Sequence, residues 1–446
     1  MRCLLSLLSF FLVTALLPAQ TSDYDAAMKL FQRENGPGGA AIVVKDGEVV
    51  YHKAFGLASI ELGVPMQPDN VFRIGSITKQ FTAAAVLQLA EAGKLSLDDE
   101  ITRFLPEFNT HGEKITVRQL LNHTSGIKSY TGMDAWTPEV HKRDFTPDEM
   151  IAFFQDEPLD FKPGERFAYN NSGYYLLGYL IEKASGMSYE DYVEQKLFAP
   201  LGMKDSRYGH PTEIVPNRAQ GYMPAAAGYQ NADYLSMTQP YAAGSLLSTV
   251  ADLATWYQAV AEGKVVSEAS LKEALTPTAL ADGKTEAYGF GLSLIDVKGS
   301  KGYGHGGGIH GFLTASRYLP DEKVFVAVFS NCNCNDPGTA ASMLTEMAIG
   351  KYEPLETVEV SEAQLETYLG QYELMPGFVV TFTRAGDQLI GQATGQGAFP
   401  LQPTGDHTFV NEQARLKARF NHDGDGKVVS FTLFQGGQEM EAKRME

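Results

Sequence analysis

The sequence predicts an α/β domain followed by a small all-β domain. Three observations carry that prediction. Strand-like runs occur at both ends of the first stretch, about 330 residues long, with helical and loop-rich sequence between them. That is the pattern of one sheet built from both ends and flanked by helices. Within it, the segment after Gln80 is apolar or small almost throughout and reads as a helix buried on most of its circumference. From Pro354 the character changes to short strands with Gly and Asp turns at close spacing, a separate sandwich or barrel of about 90 residues.

Taken in order, residues 1–19 fit a secretory signal peptide: Arg2, an apolar run from Leu4 to Leu17, then Pro18 and Ala19. The run is short for a membrane span. Cleavage after Ala19 gives a secreted or periplasmic protein with no stable membrane span; an uncleaved anchor is the alternative. Residues 20–353 form the α/β domain. It opens with "AAIVVKDGEVVYHKAFG", two strand-like runs around Asp46-Gly47, a hairpin signal. The buried helix follows. Further helices are read in "SGYYLLGYLIEKASG", with Ser172 near its start and Gly186 past its end, and in "STVADLATWYQAV", capped by Ser248 or Thr249. After Tyr288 the period returns to strands, with two runs joined at Pro320-Asp321-Glu322, and "DPGTAASMLTEMAIGKY" closes with a helix. Residues 354–446 are the β-rich tail. Its "NHDGDGK" resembles the start of a calcium loop, but the twelfth position from Asn421 is Thr432 rather than Glu, and a hairpin turn is the reading preferred.

The chain of 446 residues is 44% hydrophobic and carries a formal net charge of −18, with no basic stripe to offset it. That excludes nucleic acid as the expected partner. Beyond Cys3, the only cysteines are Cys332 and Cys334, so there is no disulfide framework. The pair suits a metal chelate or a small ring, but no zinc-site spacing accompanies it, and a loop without catalytic duty is the preferred reading.

Chemistry enters at "GSITKQFTAAAVLQLAEAGKL", Gly75 to Leu95. Lys79 stands in the first turn of the buried helix, three residues after Ser76. A helix N-terminus disfavours a cation, and burying an ammonium costs several kcal/mol or so unless it becomes neutral. The bland reading makes Ser76 an N-cap and lets Lys79 reach water. The functional reading puts both side chains on one face, with a lysine of depressed pKa taking the serine's proton. Ser125 and Lys128 in "HTSGIKSY" match the same spacing, but that copy is interrupted by glycine and no apolar helix follows.

Two further stretches supply what a serine–lysine pair needs. In "FKPGERFAYNNSGYYLLG", Tyr169 and Asn171 are separated by one residue before a helix, so in extended geometry they point to one side. A tyrosine beside a lysine ionises more easily and can work as base, then acid. Asn171 can bond both Lys79 and a substrate amide. Tyr229-Gln230-Asn231 repeats the spacing in a loose loop. In "GYGHGGGIHGF", His305 precedes three glycines that let a substrate approach the backbone, and a backbone N–H there can complete an oxyanion hole with that of Ser76. His123 and His310 read as structural.

Together, Ser76-Ile77-Thr78-Lys79, Tyr169-Asn170-Asn171 and His305-Gly306-Gly307 resemble the three motifs of the serine β-lactamase and penicillin-binding-protein superfamily, in its class C-like branch. "LLNHTSGI" and "AAGSLLSTVADLATW" add to the likeness, which covers about residues 24 to 351. The tail resembles the lipocalin-like domain often appended to such proteins. The resemblance implies an antiparallel sheet flanked by helices with a helical subdomain. It implies Ser76 as nucleophile of an acyl-enzyme, with Lys79 and Tyr169 sharing the base and acid roles. Asn171, His305, Gly307 and Gly308 then bind substrate, the N–H groups of Ser76 and Gly308 holding the oxyanion. No cofactor or metal is implied. The expected partner is a small-molecule or peptide substrate, and the sequence fixes no oligomeric state. Many β-lactamases carry Lys-Thr-Gly or Lys-Ser-Gly in third place. His-Gly-Gly resembles certain D-alanyl-D-alanine peptidases, D-amino-acid amidases and esterases. The leading expectation is therefore a secreted serine hydrolase of amides or esters. The alternatives are a class C-type β-lactamase and a catalytically idle protein that binds β-lactams or cell-wall peptides.

Overall fold

A computed structural model describes residues 24–445, apart from 226–227, 355, 396–397, 406, 412–415 and 436–437. The signal-peptide reading lies outside the described residues. The chain divides into two compact units, one ending at Lys351 and one beginning at Tyr352.

The first unit is built on a six-stranded antiparallel sheet. Its strands are β1 (Gly39–Lys45), β2 (Glu48–Phe55), β3 (Ser293–Val297), β4 (Ser300–Ile309), β5 (Phe312–Leu319) and β6 (Val324–Ser330), in the order β3-β4-β5-β6-β1-β2. The two ends of the segment meet at β1 and β6, in register from Gly39 opposite Ser330 to Lys45 opposite Val324. Strand β6, "VFVAVFS", is buried at every position. A strand covered on both faces has no polar side to keep, so its sequence is continuously apolar rather than alternating. Val324, Val326 and Val328 pack with Ala340, Ala341 and Leu344 of the closing helix. Phe325, Ala327 and Phe329 belong to the main core, with Phe81, Trp256 and Tyr257.

Four helices position the site: α1 (Thr78–Glu91), α2 (Asn171–Ser185), α3 (Val250–Ala261) and α4 (Pro337–Ala348). Helix α1 is buried from Thr78 to Leu87, as its composition requires. A 3₁₀ turn, Gly75–Ile77, leads into it. Helix α2 is capped by Asn170, whose side chain accepts from Gly173 N, and ends at Gly186 in the left-handed conformation, φ 75°. Thr249 caps α3, accepting from Asp252 N. Among the described residues no helix is long and apolar enough to cross a membrane.

Cys332 and Cys334 are joined by a disulfide around Asn333. This is the small ring rather than the chelate. Asn333 braces the β4–β5 turn, accepting from Gly311 N at 2.7 Å and donating to Ile309 O at 3.2 Å.

The second unit is a closed antiparallel barrel of eight strands between Gly370 and Arg444. Its interior is filled by aromatic rings. Among Tyr372, Phe382, Phe420 and Phe431 every pair but Phe420 with Phe431 meets edge to face, at 5.0–5.8 Å, and Tyr368, from the helix Glu362–Tyr368, lies 4.5 Å from Phe420. The "NHDGDGK" stretch is a hairpin turn, in which Asp423 Oδ1 accepts from Asp425 N and Lys427 N. Among the described residues no group of three His, Cys, Asp or Glu side chains is placed to hold a metal ion.

Candidate active site

Ser76 sits in the 3₁₀ turn and Lys79 in the first turn of α1, so the spacing brings them to one face. Lys79 is wholly buried. Its Nζ lies 3.2 Å from Ser76 Oγ, 2.8 Å from Asn171 Oδ1 and 2.9 Å from Ala243 O. It stands 4.7 Å above the Tyr169 ring. The two amide-type oxygens only accept, so they take two of the amine's protons. Burial pushes the Lys79 ammonium well below the usual lysine range. In the neutral amine the remaining direction is a lone pair, and the group facing it is the Ser76 hydroxyl.

Asn171 opens α2 and is held by its surroundings. Its N–H donates to Ser129 Oγ at 3.1 Å and its Nδ2 to Thr131 Oγ1 at 3.0 Å, which fixes Oδ1 towards Lys79. Tyr169 is 41% exposed, yet its hydroxyl end is enclosed and bonded to Ser76. Desolvation pushes the phenol up, well above its usual range, and the bond to Ser76 offsets part of that. This differs from the expectation that the lysine would ease its ionisation. The physical reason is desolvation: burying the phenol end penalises its charged form by more than the bond to Ser76 returns.

Gly308 lies on the open edge of β4, because β3 pairs with β4 only as far as Gly304. Ile309–Phe312 and Gly307–Thr314 flank the two-residue turn His310-Gly311, so by antiparallel alternation they exchange the ladder bonds with β5. The N–H of Gly308 then points to the open edge, where Gly75 approaches it so closely that a Cβ on Gly75 would lie 2.9 Å from Gly308 N. Gly307 serves packing: a Cβ there would lie 2.0 Å from Ile74 O.

His305 is placed otherwise than the sequence reading expected. Its ring is buried, Nε2 lies 3.0 Å from Tyr288 Oη, and Nδ1 donates to Gly306 O. Both nitrogens are therefore used inside the protein, and neither is left for a substrate. Burial lowers its pKa to about 4. His310 lies past the end of β4 with Nδ1 3.2 Å from Asp233 O. His123 is buried with its ring 4.4 Å from that of Tyr169.

The look-alikes fall away from this cluster. Ser125 Oγ accepts from Ile127 N, while Lys128 donates to Asp160 at 2.8 Å on the surface. Tyr229 Oη accepts from Arg33. Sequence reasoning missed Tyr288, Ser129, Thr131 and the Ala243 carbonyl. Ala243 and Tyr288 lie 164 and 17 residues from their partners Lys79 and His305, and no local pattern marks them.

The chain is similar to several known proteins. Residues 356–444 match a family described as a domain of unknown function, DUF3471. Penicillin-binding protein 4* of Bacillus subtilis (strain 168) is 30% identical over 432 residues, 91% of this chain and 94% of its own length. A D-aminopeptidase of Brucella anthropi is 27% identical over 344 residues, 75% of this chain and 63% of its own length. The structure of the octameric penicillin-binding protein homologue from Pyrococcus abyssi superposes with a TM-score of 0.66 at 31% identity, over 95% of this chain and 98% of that one. Residues 25–345 match the Beta-lactamase family, and the chain is a member of that family of serine hydrolases.

Proposed function

We propose that this serine hydrolase cleaves an amide or ester bond, of the D-amino-acid peptide, amide or ester class, through an acyl-enzyme on Ser76. The observation that carries the reading is the wholly buried Lys79 amine, whose two acceptor-only partners leave it facing Ser76. Lys79 takes the Ser76 proton as Oγ bonds to the substrate carbonyl carbon. The N–H groups of Ser76 and Gly308 receive the oxyanion. The C–N or C–O bond breaks, and the leaving group takes a proton from Tyr169, which Lys79 replaces. Water, activated by the same groups, then releases the acid and frees Ser76. Asn171 orients Lys79 and the substrate amide. The D-aminopeptidase likeness and the missing cation in third place favour this class over β-lactams. The reading also places the mature protein outside the cytoplasm, on the strength of residues 1–19 alone.

The test is mass spectrometry of the protein treated with a fluorophosphonate or a labelled penicillin. The adduct is expected on Ser76 and absent in Ser76→Ala. An adduct on Ser125 overturns the assignment. Turnover of D-amino-acid amides, D-Ala-D-Ala peptides, short esters and β-lactams then separates the hydrolase from a β-lactamase and from a binding protein that stays acylated.

A further inference from the structure

A buried hydrogen-bond chain runs behind the site, and its direction follows from which atoms carry protons. Asn170 N–H donates to His123 Nδ1 at 3.1 Å. An accepting nitrogen carries no proton, so the proton of a neutral His123 is on Nε2. That nitrogen lies 3.2 Å from Tyr288 Oη. At the other end His305 Nδ1 faces the Gly306 carbonyl, which only accepts, so Nδ1 carries the His305 proton. His305 Nε2, 3.0 Å from Tyr288 Oη, is then the acceptor. The Tyr288 hydroxyl accepts from His123 and donates to His305.

This chain ties together parts that the mechanism needs in register. Asn170 lies between Tyr169 and Asn171 and caps α2. The His123 ring packs against the Tyr169 ring at 4.4 Å, tilted by 44°. His305 begins the β4 segment that carries Gly308. Phe167 and Tyr174 close the chain in: Phe167 lies 5.5 Å from Tyr288, and Tyr174 lies 5.1 Å from His123, donates to Leu121 O at 2.7 Å and so meets the Tyr288 hydroxyl only as a second acceptor beside His305. The basic side chain beside both histidines is Lys79. A second proton on His123 would confront Asn170 N–H, and one on His305 would confront the Tyr288 hydroxyl proton. Burial pushes both rings the same way, towards neutrality.

We propose that Tyr288 is a positioning residue that holds His305 as a neutral ring protonated on Nδ1 and, through His123, sets the Tyr169 ring against Ser76 and Lys79. This rests on the reading of Ser76 as nucleophile. It makes the uncharged third motif a property of Tyr288 as well as of histidine.

The test uses the full chain labelled with ¹⁵N-histidine, with peaks assigned through His123→Gln and His305→Gln. At neutral pH the spectrum is expected to show His305 protonated on Nδ1 and His123 on Nε2. His305 protonated on Nε2, or as imidazolium, overturns the proposal. In Tyr288→Phe, kcat is expected to fall roughly tenfold to a hundredfold, since about 1 Å of misplacement costs that much, with KM changed by less than about threefold. Unchanged kcat overturns it, and so does a loss expressed only in KM. The tautomers are read on the wild type, so the proposal stays falsifiable if Tyr288→Phe does not fold. Wild type that takes no label on Ser76 sinks the underlying mechanism, whereas labelled wild type with the wrong tautomers sinks this inference alone.

Discussion

Ser76 and Lys79 share their spacing with Ser125 and Lys128, and both lysines are within 3 Å of an oxygen, but the environments are opposite. Lys79 is wholly buried among neutral acceptors, and burial drives its pKa down. Lys128 is paired with Asp160 at the surface, where that hydrogen bond and charge raise its pKa. A carboxylate keeps a lysine charged and useless as a base; amide oxygens in a dry site let it become neutral. The difference teaches that a serine–lysine pair becomes chemical through what surrounds it.

The sharpest way to break this comparison is to remove each serine. Ser76→Ala is expected to lower kcat/KM by about 10⁴ or more and to abolish labelling. Ser125→Ala keeps the label and loses about 1 kcal/mol of stability with the bond to Ile127 N. Equal losses of activity in the two variants would end the distinction. Exchanging the lysines comes next. Lys79→Met should cost roughly 10²–10⁴ in kcat, whereas Lys128→Met should leave kcat within about twofold.

The same pair separates in stability against pH. The folded pKa of Lys79 lies below its unfolded value, so between the two the unfolded chain binds the extra proton. Stability therefore rises with pH through that window, by at most about 1.4 kcal/mol per pH unit, up to about pH 10.5. Thermal melts across that range should show Lys79→Met with a flatter slope than wild type. A slope that Lys79→Met leaves untouched would mean that Lys79 stays charged in the fold.

A smaller effect concerns substrate charge. With His305 neutral and turned inward, the third motif offers no charge-assisted bond to a substrate carboxylate, so esters and amides lacking one should exceed cephalosporins in kcat/KM by about tenfold. The ratio should stay flat from about pH 6 to about pH 8, because the ring protonates only near pH 4. A ratio that swings across that range would show His305 titrating in the cleft. The smallest effect is expected from the tail. A chain ending at Lys351 keeps the sheet, the helices and all the groups around Lys79, so it should still acylate Ser76. A folded truncation that fails to do so would show that the barrel supplies part of the site.

Much of the site was legible because its chemistry needs local spacing. Three residues along a helix put Ser76 beside Lys79, and the alternation of an extended loop put Tyr169 and Asn171 on one side. The helix caps were read to within two residues: Asn170 caps α2 where Ser172 was expected near the start, because its side chain reaches forward and accepts from Gly173 N. His305 was legible as a motif and misread as a contact, since the atom that occupies its Nε2 belongs to Tyr288.

By itself the sequence determined the α/β class, the all-β tail, the buried helix and the order of the motifs, because hydrophobic period and turn residues act over a few positions. Only the tertiary structure decided which lysine burial drives towards neutrality, which histidine is withdrawn from the cleft, and that Ala243 and Asn171 are the acceptors that hold Lys79. Those outcomes depend on desolvation and on partners brought together from far along the chain. Neither burial nor a partner 164 residues away is written in the spacing of a motif.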